Sequence, residues 1–120
     1  MQVLIVDDDA AMREALCETL ELQGHQCVTV SNGREALDFL RESKPCVILL
    51  DLMMPFMNGW EFRAAQLKDP RVAGIPVLVI SAHLRAEKDE GELAAAGYLS
   101  KPLSAERLLK AVAEWCTPAA

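Results

Sequence analysis

The sequence predicts an α/β protein built on an open parallel sheet, doubly wound, with five strands and five helices in three layers. Three observations predict it. Short apolar runs recur along the chain, and amphipathic stretches separate them in the rhythm of repeated βα units. Three of the runs are apolar at every position, as expected where helices cover both faces of a sheet, so these are predicted to be the inner strands.

In chain order, Val3–Val6 is the first strand, and Met12, Leu16 and Leu20 then share one helical face. Gly24 ends that helix, Cys27–Val30 is the second strand, and Asn32 with Glu35 forms a capping-box-like start for a helix carrying Ala36, Leu37 and Leu40. Pro45 precedes the third strand, Cys46–Leu50, and Asn58 with Glu61 repeats the start signal for a third helix. Pro76 marks the entry to the fourth strand, Val77–Ile80. A fourth helical stretch, Leu84–Ala96, has a thin apolar stripe and an internal Gly91, which makes it the least firmly held. Gly97–Leu99 is a weaker fifth strand. Ser104 caps the last helix, whose inner face is Leu108, Leu109, Val112 and Cys116, and residues 117–120 form a frayed end.

A length of 120 residues fits a single domain, with 52% apolar and 25% charged residues, enough to bury a continuous core. Lys and Arg number 12 against 18 Asp and Glu, a formal charge of −6, which is the wrong sign for coating nucleic acid or an anionic membrane. Proteins and cations are the expected partners. The amino terminus lacks a basic segment ahead of its apolar run, and no stretch approaches the roughly 18 apolar residues of a membrane span, so a cytoplasmic location is expected. Cys17, Cys27, Cys46 and Cys116 are widely spaced without a CxxC pair, and the expectation is reduced core thiols.

In such a sheet, ligands bind beyond the carboxyl ends of the strands. The first strand ends in Asp7-Asp8-Asp9, the third in Asp51 and the fourth in Ser81, while Lys101-Pro102 follows the fifth. Polar groups from four strands therefore converge on one rim. Clustered carboxylates repel unless a proton or a cation joins them, and oxygen ligands without Cys or His select a hard ion, Mg²⁺ before Zn²⁺. Asp51, alone between Leu50 and Leu52, is the better candidate nucleophile toward a phosphoryl group, Lys101 offers a compact counter-charge, and Ser81 a neutral donor. Each residue has a plainer role to weigh: Asp9 as a helix cap, Lys101 as a surface lysine, Ser81 as a turn residue, Tyr98 as a half-buried strand aromatic. The combination is far rarer by chance than its parts.

These residues match a known pattern. Through Val3-Leu4-Ile5-Val6-Asp7-Asp8-Asp9, Asp51-Leu52-Met53-Met54-Pro55-Phe56-Met57-Asn58-Gly59, Ser81-Ala82 and Tyr98-Leu99-Ser100-Lys101-Pro102, the chain resembles the receiver domain of two-component response regulators over nearly its whole length. The resemblance implies a flavodoxin-like sheet of strand order 2-1-3-4-5 and a phosphoprotein of phosphorelay signal transduction. It implies that Asp51 accepts a phosphoryl group from a phosphohistidine of a sensor kinase or phosphotransfer protein. It also implies Mg²⁺ held by Asp8, Asp51 and the Met53 carbonyl, with Asp7 acting through water. By the same resemblance Lys101 contacts the phosphate, Ser81 turns toward it, and Tyr98 packs inward behind Ser81. The family often has Asp at the position of Asn58 and Thr at that of Ser81, and neither difference removes the chemistry. Met53 and His83 look out over the site and are expected to influence phosphate lifetime.

Two other classes compete. A Mg²⁺-dependent phosphohydrolase would use Asp7 and Asp9 as a catalytic pair, but such enzymes want a hydroxyl residue where Ala11 stands, and a cap that this length hardly allows. A flavin or nucleotide binder would offer glycines or hydroxyls in its first loop, where this chain has Asp7-Asp8-Asp9-Ala10-Ala11. The expectation is therefore a single receiver domain over residues 1–120, with no output domain after Trp115. It would be regulatory, not enzymatic beyond its own phosphorylation and dephosphorylation, and would signal to a downstream protein through the fourth helical stretch, the fifth strand and the last helix.

Overall fold

The computed structural model describes residues 2–81, 93–101 and 103–116. Their order is β1 (Gln2–Val6), α1 (Ala10–Leu22), β2 (Gln26–Val30), α2 (Gly33–Leu40), β3 (Val47–Asp51), α3 (Gly59–Leu67), β4 (Val77–Ser81), β5 (Gly97–Ser100) and α4 (Ala105–Ala113). The strands form one parallel sheet in the order β2-β1-β3-β4-β5, as expected. The three uninterrupted apolar runs are its inner strands β1, β3 and β4. The predicted helix at 84–96 falls largely on residues outside those described, as do His83 and Pro102, so four helices are described; Leu93 is helical and buried.

Alternation along the inner strands divides the core in two. Leu4 and Val6 of β1, Ile48 and Leu50 of β3, and Val77 and Val79 of β4 face α2 and α3, where Ala36, Leu40 and Phe62 meet them. Val3, Ile5, Val47, Leu49, Leu78 and Ile80 face the other way, onto Leu16 and Leu20 of α1 and Leu108 and Val112 of α4. Burying each such side chain is worth roughly 1.5–3 kcal/mol, so helices that are marginal alone are held by the sheet.

The caps follow the sequence with one difference. Asn58 forms a reciprocal capping box with Glu61, and the Ser104 hydroxyl accepts from Arg107 N. Asn32 caps α2, but the Glu35 carboxylate turns instead to the N–H and hydroxyl of Ser31, 2.7 and 2.6 Å away, because Ser31 offers two donors. At the start of α3, a Cβ on Gly59 would come within 2.7 Å of Leu52 Cα and 2.8 Å of the Asp51 carbonyl oxygen. Only glycine lets the helix start this close to the end of β3.

The cysteine expectation needs correction. Cys46 and Cys116 are joined by a disulfide, with Cα atoms 5.6 Å apart, while Cys17 and Cys27 are free thiols. Cys116 lies beyond the end of α4 yet is buried in the second core cluster, which carries it to the residue before β3.

Candidate functional site

Strand register builds the site. Val6 pairs with Leu50, so the next residues, Asp7 and Asp51, stand level at the carboxyl end of two adjacent inner strands. Asp51 pairs with Ile80, and Ser81 with Ser100, so Ser81 follows one step and Lys101 two steps further along the same rim. Asp7, Asp51 and Ser81 are 2%, 7% and 1% exposed. Buried acids at this level are fixed by their strands and not by flexible loops.

One oxygen from each of Asp7, Asp8 and Asp51 lies within 4.8 Å of the others. Lys101 Nζ sits 3.4 Å from Asp7 Oδ2 and 3.8 Å from Asp51 Oδ2. The Asp9 N–H donates to Asp7 Oδ1 at 2.9 Å, and the Met53 N–H donates to Asp51 Oδ1 at 3.4 Å. Burial foremost, and then the charge of Asp7, push the Asp51 carboxyl up to about 6, against the opposing pull of Lys101 and the Met53 N–H. One lysine therefore leaves negative charge uncompensated at the rim. An all-oxygen set of this kind suits a hard divalent cation, so the residues present fit a metal.

The remaining sequence candidates divide. Met53, 56% exposed, is at the mouth of the site. Ser81 is buried at the rim, its carbonyl accepting from Lys101 N. Tyr98 of β5 is half-buried against the first core cluster, and its hydroxyl accepts from Ala95 N at 3.2 Å. Asp9 takes the plainer role. Its carboxylate caps α1, accepting from Ala11 N and Met12 N, which removes it from a catalytic pair with Asp7.

Sequence reasoning missed two arginines. Arg13 Nη1 donates to the Asp7 carbonyl oxygen at 2.7 Å, steadying the turn from β1 into α1. Arg63 of α3 is 6% exposed and donates to Leu93 O, Ala94 O and Gln66 Oε1 at 2.7, 2.9 and 2.7 Å, tying α3 to the segment that leads into β5. A charged residue on a helix offers no local sign that it will turn inward. Phe56 is 89% exposed with φ 64°, a conformation that favours glycine.

An open parallel sheet with carboxylates from two adjacent inner strands and a lysine from the edge strand β5 at its carboxyl rim defines a doubly wound α/β protein, the class whose ligand sites lie at that rim. Comparison with known proteins narrows the class. Residues 3–113 match the family model described as the response regulator receiver domain. Protein PilH of Pseudomonas aeruginosa is 34% identical over 113 residues, covering 92% of this chain and 93% of that protein. The phosphate regulon transcriptional regulatory protein PhoB of the same organism is 35% identical over 117 residues, and there the match covers 92% of this chain but 50% of PhoB. Among solved structures, chemotaxis response regulator CheY4 of Vibrio cholerae superposes with a TM-score of 0.87 at 34% identity, covering 96% of this chain and 98% of that one. The chain belongs to the response regulator receiver domain family. No helix among the described residues is long and apolar enough to cross a membrane.

Proposed function

We propose that the chain is the phosphoacceptor switch of a two-component system, taking a phosphoryl group onto Asp51 from a phosphohistidine of a sensor kinase or phosphotransfer protein. The observation that carries this reading is the placement of Asp51 at the end of β3, level with Asp7 and 3.8 Å from Lys101 Nζ. In the transfer, a carboxylate oxygen of Asp51 forms a bond to phosphorus as the phosphorus–nitrogen bond of the donor breaks. The electron pair returns to the imidazole nitrogen, which takes up a proton. Asp8, Asp51 and the Met53 carbonyl would hold Mg²⁺, with Asp7 acting through water. The ion supplies neutralisation of the phosphoryl oxygens.

Lys101 is the fixed counter-charge for the added phosphate, replacing part of its present interaction with Asp51. Ser81 is buried at the same rim, and a hydroxyl drawn toward the phosphate changes the space available to Tyr98, two strands from Asp51. The reading that follows is a two-state surface comprising the fourth helical stretch, β5 and α4, which binds a downstream protein. The whole chain acts as one regulatory domain in the cytoplasm.

Acetyl phosphate with Mg²⁺ tests the reading. A receiver retains one acid-labile phosphate per chain, and Asp51→Asn retains none. Continuous release of inorganic phosphate at many turnovers per minute would make the chain a phosphohydrolase instead.

A further inference from the structure

Cys46 and Cys116 lie at the opposite end of the sheet from Asp51. Cys46 immediately precedes β3, and Cys116 follows α4, so the bond joins the base of a central strand to the end of a surface helix across 70 residues of chain. Leu108 and Val112 of α4 are buried, with Leu109 and Ala111 packed beside them, and the cross-link adds a covalent tie just beyond that helix's carboxyl end. Cys116 is 3% exposed within the apolar cluster of Val3, Val47 and Val112, where a free thiol packs as a small hydrophobe. Cys46 is half-buried and its Sγ lies 3.2 Å from the Gln2 carbonyl oxygen, which can accept from its thiol once the bond is open. Both redox states therefore have partners in the same fold.

We propose that Cys46 and Cys116 are a reversible thiol–disulfide site that pins the carboxyl end of α4 to the start of β3 when oxidised and releases it when reduced. The co-reactant is a low-molecular-weight disulfide. The Cys46 thiolate, the more reachable of the two, attacks one sulfur of that disulfide and expels a thiolate, leaving a mixed disulfide on Cys46. Cys116 then loses its proton and attacks the Cys46 sulfur, expelling the second thiolate. Two protein thiols and one small disulfide thus give one protein disulfide and two small thiols, and excess small thiol runs the sequence backward. In a reducing compartment a bond of this kind opens and closes instead of serving as a permanent brace. Because α4 belongs to the surface proposed to meet the partner, the redox state would set how freely that surface rearranges. That consequence rests on the phosphoacceptor reading, whereas the bond and its effect on α4 do not.

The test compares the full chain after oxidised glutathione and after excess reduced glutathione, under native conditions. Peptide mapping without reduction is expected to recover one intramolecular bond, Cys46 to Cys116, that disappears in the reduced sample. Reduction is expected to speed amide exchange in residues 108–116 by roughly tenfold and to lower the thermal midpoint by about 10 °C. The double variant Cys17→Ser/Cys27→Ser should respond in the same way, and Cys46→Ser should not respond. A bond between Cys17 and Cys27 in its place, a bond between chains, or exchange at 108–116 that is indifferent to reduction would overturn the proposal. Should Cys46→Ser fail to fold, the double variant gives the same decision.

Discussion

Lys101 Nζ reaches to 3.8 Å from Asp51 Oδ2 although β4 lies between their strands in the sheet. The lysine side chain therefore spans the width of β4 to reach the carboxylate, while its backbone N–H donates to the Ser81 carbonyl. Its other contact, 3.4 Å to Asp7 Oδ2, is the shorter one. The lysine divides its charge between two carboxylates, and the proposed phosphoryl group on Asp51 would draw it toward that side.

Lys101→Ala is expected to leave the fold intact and to raise the Asp51 carboxyl further above about 6, because it removes the main opposing charge. Phosphate uptake should fall by roughly 100-fold, as for loss of one preorganised charge at a reacting centre. Carboxyl-carbon NMR titration checks the first effect and acetyl phosphate kinetics the second; unchanged values would make Lys101 a surface lysine.

Asp51 also gives stability a pH signature. Its carboxyl is raised from 3.8 to about 6, so the folded protein holds that proton more tightly than the unfolded chain does. The stability this contributes is complete below about pH 4 and is lost as pH rises through 6. Asp51→Asn does not titrate there. Without divalent cations the variant should therefore gain on the wild type between pH 4 and 7, ending ahead by about 2–3 kcal/mol in urea unfolding. A difference that is flat with pH would contradict the burial account.

Asp8→Ala and Asp9→Ala separate a ligand from a cap. Asp8 supplies an oxygen to the carboxylate cluster, whereas the Asp9 side chain is committed to Ala11 N and Met12 N. Calorimetric titration with Mg²⁺ should show a loss of affinity in Asp8→Ala well beyond that in Asp9→Ala. Asp9→Ala should instead cost about 1 kcal/mol of stability through its lost cap. Equal losses of affinity would put the assignment of the first-strand acids in error.

Arg63→Met should destabilise by about 2–4 kcal/mol, since it leaves the carbonyls of Leu93 and Ala94 and the Gln66 amide oxygen without their donors. Because two of the three bonds hold the segment before β5, amide exchange at Leu93–Tyr98 should rise more than at α1. Uniform loosening would deny Arg63 a local role.

How much of this was legible in the sequence differs by the range of the physics. The inner strands could be read because burial on both faces demands unbroken apolar runs, as in Val47–Leu50, and the caps could be read because Asn58 and Glu61 interact within one turn. The rim was legible because strand ends in a doubly wound sheet must converge, which placed Asp7, Asp51, Ser81 and Lys101 together. Long-range pairings were not. Nothing local to Cys46 or Cys116 announces a partner 70 residues away, and nothing near Arg63 announces Leu93. Glu35 turned to Ser31 because a neighbouring hydroxyl competed with the backbone donor that the capping pattern assumes.

The central claim is that Asp51 is the residue phosphorylated. After incubation with acetyl phosphate and Mg²⁺, borohydride reduction converts an acyl phosphate on aspartate into homoserine, and peptide mapping then reads the position. Homoserine at 51, with Asp7 and Asp8 unmodified, is the result expected. Homoserine at 7 or 8, or a borohydride-resistant phosphate on Ser81, would contradict it.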